Sequence, residues 1–186
     1  DWLSLLKELY YNLKLKWERG EYLDFLMRSF RFLEAVLRQI AEQEGMNTAK
    51  DKKTKFLVFF QAIESNTDLK DFLATQTVNG TPLTYNEPNI PNLLCIAKWM
   101  SHNRNPYLQK IVPYLDELQN LSALRNNSLP GHGFAGVSEE IITQKIEHPL
   151  EKMREILDVL EIAQENPYEK MKNLIKDRLQ QSLGNF

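Results

Sequence analysis

Apolar residues recur every three or four positions along nearly the whole chain, and this spacing constrains the fold more than any other feature. Trp2, Leu5, Leu6, Leu9, Leu13 and Trp17 mark one amphipathic face at the α-helical period. Gly20, after Glu18 and Arg19, reads as a helix stop. A second helix is predicted from about Glu21 to Glu44, with Leu23, Leu26, Met27, Phe30, Leu33, Leu37 and Ile40 on one face. Phe25, Phe32 and Val36 thicken that face, which predicts a central position. The short turn makes the two helices an antiparallel pair.

Beyond them, Phe56 to Phe60 and Ile63 suggest a shorter buried helix after the basic stretch Lys50 to Lys55. Asn79-Gly80, between Thr77-Val78 and Thr81, is a hairpin-type signal, so a small β-hairpin or irregular excursion is expected around residues 75–85. Pro88, Pro91, Pro106 and Pro113 break the next stretch of chain into short helices, with Asn105-Pro106 and Val112-Pro113 as helix starts. The helix after Pro113 carries Leu115, Leu118, Leu121, Leu124 and Arg125 and must end before Gly133. Ser138 caps the next helix, Pro149 opens another, and a last one is predicted around Met171 to Leu179. The expected class is therefore an all-α helical bundle with one small β insertion.

Composition agrees and excludes several functions. The chain has 186 residues, 42% apolar, which suits one domain with a real core. A net charge of −2 announces no global field for nucleic acid or membrane, so an RNA partner would have to meet a local patch. No apolar run approaches the ~20 residues of a membrane span. The single cysteine, Cys95, cannot form an intrachain disulfide, which favours a reducing, cytoplasmic setting, and it reads as a small buried hydrophobe. The three histidines, His102, His132 and His148, have no second histidine or cysteine at ligand spacing, so neither a metal nor another cofactor is expected. There is also no glycine-rich phosphate loop and no nucleophile elbow. His102 sits in a polar loop and His148 enters a helix.

One segment carries a chemical inventory: Leu124-Arg125-Asn126-Asn127-Ser128-Leu129-Pro130-Gly131-His132-Gly133-Phe134. Its histidine has a reference pKa of ~6.5, suited to moving a proton at working pH. Its arginine can grip a phosphate through two oxygens and offset the charge that builds there. Asn126 can position either the phosphate or the histidine. On an unbroken helix Arg125 and His132 would stand about 10 Å apart, but Pro130 and Gly131 end the helix first and let His132 fold back. Residue types alone leave a second reading, in which Arg125 closes the helix electrostatically and the rest is an ordinary turn.

The string LRNNSLPGHGFAGVSEE resembles the HEPN ribonuclease motif, in the form found in CRISPR type III ancillary ribonucleases of the CARF–HEPN family. Upstream, YLDFLMRSFRFLEAVLRQIAE resembles the preceding helix of that family, and the likeness covers roughly residues 1–165. The resemblance implies a metal-independent endoribonuclease acting on single-stranded RNA, working as a homodimer with the motifs facing across a two-fold axis. It implies that Arg125 and His132 are catalytic and Asn126 supporting. Glu34 is a further candidate to orient them, against a solvent-facing reading of the same residue. Cyclic oligoadenylate, the family's activator, would act through a separate sensor domain that this chain does not carry.

Residues 1–186 thus read as one HEPN-type helical domain, and a start at Asp1 fits the C-terminal part of a longer protein. Two other functions remain open at this point: a non-catalytic helical dimerisation module, and a HEPN toxin outside CRISPR defence. Lys98, Arg104 and Lys110 form one basic cluster and Lys50, Lys52, Lys53 and Lys55 another, each of which also reads as an ordinary solvated face; Tyr107 or Phe134 could stack on bases, although core packing is the expected role of both.

Overall fold

The computed structural model describes residues 2–50, 56–78, 80–128, 136–160 and 175. Among them are eight α-helices: α1 (Trp2–Glu18), α2 (Tyr22–Gln43), α3 (Leu57–Glu64), α4 (Thr67–Ala74), α5 (Ile90–Asn103), α6 (Val112–Ser128), α7 (Glu139–Thr143) and α8 (Pro149–Val159). A 3-10 turn, Pro106–Lys110, precedes α6. The fold is all-α apart from a hairpin, β1 (Thr77–Val78) and β2 (Thr81–Pro82), with Thr77 opposite Pro82 and Val78 opposite Thr81.

The α1–α2 pair is closed by Gly20 at φ +70°. The Glu21 N–H donates to the Lys16 carbonyl at 2.9 Å, and the Gly20 N–H to that of Trp17 at 3.0 Å. These are the two bonds of a Schellman ending, which needs a left-handed residue at this position. Gly45, at φ +79°, ends α2 with the same pair of bonds. Trp17 then sets its ring edge against Phe25, 4.8 Å between centroids, locking the turn into the core.

α2 is central, as its wide apolar face predicts: it packs against α1, α5 and α6. The buried stripe is rotated from the expected one. Phe25, Leu26, Ser29, Phe32, Leu33, Val36, Leu37 and Ile40 are buried, whereas Leu23 and Met27 are exposed. Contact on three sides explains this, since Phe25 and Phe32 fill space between helices that no two-helix pairing would offer. In α1 the buried positions are Leu6, Tyr10 and Leu13, and Leu5 faces out. Truncating Phe32, fully buried, to alanine would cost about 3–5 kcal/mol.

Three other expectations change. The segment after Phe56 is helical but only half buried: Phe59 and Ile63 enter the core, while Leu57, Val58 and Phe60 are exposed. Pro91 does not break a helix; it occupies the first turn of the 14-residue α5, where its missing N–H costs nothing. His102 belongs to the last turn of α5 rather than to a loop, and it is exposed. α4, capped by the Asn66 side chain on the Leu69 N–H at 3.1 Å, was not anticipated. Asn79 of the hairpin turn and the helix predicted around Met171 to Leu179, apart from the helical Ile175, lie outside the described residues.

Candidate active site

α6 presents the motif. Leu115, Leu118 and Leu121 of α6, and Ile111 just before it, are buried against the core, which fixes the helix as far as Leu121. Arg125 and Asn126 belong to the backbone of that last turn, since α6 runs to Ser128. Their side chains, and His132 altogether, lie outside the described residues.

The chain is described again from Gly136, and its return is anchored. Ser138 caps α7, its hydroxyl accepting from the Ile141 N–H at 3.4 Å. A hydrogen bond from Ser138, and next the residue's own N–H, hold the Glu140 carboxyl below its usual range. Ile142 is buried, and the Tyr22 hydroxyl donates to Glu139 at 2.7 Å, tying the start of α7 to the start of α2. That bond also pushes the Tyr22 phenol up.

Glu34 lies half-buried on α2 with cations of its own helix. It accepts from Arg31 at 3.0 Å and from Arg38 at 3.1 and 3.3 Å. Leu5, Leu9, Arg31, Glu34, Ala35 and Arg38 line one shallow groove. The Arg31–Glu34–Arg38 network went unrecognised in the sequence, although its i, i+3 and i, i+4 spacing is a signal for such pairing. Cys95 is half-buried, and burial raises its thiol pKa, consistent with a packing role. Among the described residues, no three His, Cys, Asp or Glu side chains gather as a metal site would require, and no helix is long and apolar enough to cross a membrane.

The family model of the Cas_Csm6 HEPN domain matches residues 4–176. The chain belongs to the Csm6 HEPN family. The membership accounts for the helical fold, with α2 and α6 in contact at its centre, and makes the chain a CRISPR-associated HEPN domain of a generally ribonucleolytic kind. No curated protein and no solved structure matches the chain. Within the Csm6 HEPN match lie Glu34, Arg125, Asn126 and His132.

Proposed function

We propose that this chain is a metal-independent endoribonuclease that cuts single-stranded RNA within a CRISPR type III antiviral effector. The ribose 2′-hydroxyl attacks the adjacent phosphorus, the P–O5′ bond breaks, and the products carry a 2′,3′-cyclic phosphate and a 5′-hydroxyl. His132 moves the proton, Arg125 offsets the charge on the phosphoryl oxygens, and Asn126 supports one or the other. Two copies of the chain face each other across a two-fold axis to complete the site. Activation by cyclic oligoadenylate belongs to a separate sensor domain.

The observation that supports this reading most is that the Csm6 HEPN match, over residues 4–176, includes the Leu124–Phe134 string within its bounds. The test is cleavage of end-labelled single-stranded RNA, with and without chelator, by wild type and His132→Ala. Chelator-insensitive cleavage to cyclic-phosphate ends, lost in the variant, is expected. A magnesium requirement with 5′-phosphate ends would overturn the mechanism.

A further inference from the structure

At the other end of α6 from the motif, a groove lies against the 3-10 turn, lined by Gln43, Asn105, Tyr107, Lys110, Asp158 and Leu160. Tyr107 stands at 76% exposure, above every other exposed large apolar side chain among the described residues. It does not stand there loosely. Its N–H donates to the Asn105 side chain at 3.1 Å, Pro106 fixes the preceding backbone angle, and the next residue, Leu108, is buried at 1%. Gln109 ties the same turn to the Ser101 carbonyl of α5 at 3.1 Å. The backbone beneath the ring is anchored, and the ring faces solvent.

Of the charged residues that line the groove, Lys110 stands on the 3-10 turn with Tyr107, whereas Asp158 lies on α8. Lys110 is exposed on the groove, and Arg104 is exposed three residues before Tyr107, its guanidinium 5.7 Å from the Trp99 ring. Lys98, by contrast, is paired with Asp116 at 2.7 Å. An exposed aromatic beside cations is the pairing that single-stranded nucleic acid calls for: a face for a base and a charge for its phosphate. A duplex keeps its base faces stacked and offers none to Tyr107.

We propose that this groove is an RNA subsite, in which Tyr107 stacks on an unpaired base and Lys110 meets the adjoining phosphate. It rests on the ribonuclease reading above and adds to it a second point of hold. The thirteen helical steps from Val112 to Arg125 rise on the order of 20 Å, so the subsite grips substrate away from the scissile phosphate. Tyr107 is thus a binding residue, and its loss acts on KM.

The test is fluorescence anisotropy of a labelled single-stranded oligoribonucleotide with the full 186-residue chain carrying His132→Ala, so that RNA is not consumed. Tyr107→Ala should weaken binding about ten-fold and Tyr107→Trp should restore it. Lys110→Ala should lower the slope of log affinity against log salt by about 0.7. Equal binding by Tyr107→Ala, or an equal loss on duplex or abasic RNA, would overturn the subsite. Cleavage by chains with His132 intact separates the two claims. A raised KM with unchanged kcat in Tyr107→Ala supports the subsite. Cleavage indifferent to Tyr107 sinks the subsite alone, and a wild-type chain that cuts no RNA sinks the ribonuclease reading.

Discussion

Glu34 holds Arg38 through two bonds, accepting from its Nε at 3.3 Å and its Nη2 at 3.1 Å. Arg38 also donates through Nη1 to the Thr48 carbonyl at 2.7 Å, and the other Glu34 oxygen takes Arg31. The carboxylate is thus engaged along its own helix, and the network pins the residues after α2.

Glu34→Gln should therefore leave kcat for RNA cleavage unchanged and cost about 0.5 kcal/mol of stability, the scale of a partly exposed helical ion pair. Urea unfolding and single-turnover cleavage measure the two quantities. A ten-fold or larger fall in kcat with unaltered stability would instead make Glu34 a positioning residue for the Arg125–His132 pair.

Arg125→Ala and His132→Ala should each abolish detectable cleavage while helical content and dimer mass are retained. Arg125 lies in the last turn of α6, and on the proposed mechanism its charge is what the chemistry draws on. Asn126→Ala should reduce the rate less. Circular dichroism and sedimentation check the fold and the assembly. Undiminished cleavage by both alanine variants would remove the motif from the mechanism.

Asn92 is fully buried, and its Nδ2 donates to the carbonyls of Thr84 and Glu87 at 2.8 and 2.7 Å. It staples the return from the hairpin onto α5. Asn92→Ala would leave both carbonyls without that donor, at a cost of about 2 kcal/mol. For a chain of this size that lowers Tm by roughly 4–8 °C. Calorimetry reads the shift; a change below about 1 °C would mean that water or backbone takes over both acceptors.

Much of the fold was legible because local signals acted alone. Gly20, Ser138, Pro113 and Pro149 each fix an ending or a beginning through one backbone requirement, and the structure places a helix boundary at each. The pair Asn79-Gly80 marked the hairpin for the same reason. Which of Leu23 and Phe25 is buried was not legible, because the two are equally apolar and the packing of α2 against α1, α5 and α6 decides between them. α4 does not stand out in the sequence because only two of its eight residues, Leu69 and Leu73, are buried, too short a stripe to show a helical period. In the site, the family string located the motif, whereas the exposure of Tyr107 depends on a cap and a buried neighbour that spacing does not reveal.

Gly20 gives the sharpest stability test, because sterics and backbone strain separate there. A Cβ added at this position would meet nothing closer than the Tyr22 ring at 3.8 Å, an ordinary contact. The penalty of Gly20→Ala is then the left-handed backbone alone, about 1 kcal/mol. Gly45→Ala, at φ +79° with nothing within 4 Å, should cost the same. Gly20→Asn should cost less, since asparagine tolerates that region better than alanine. Denaturant unfolding should show these losses as shifts in midpoint with an unchanged slope, because the surface exposed on unfolding is the same. A neutral Gly20→Ala would mean that the smaller entropy of its unfolded chain offsets the strain, and the Schellman ending would not then be what holds α1 against α2.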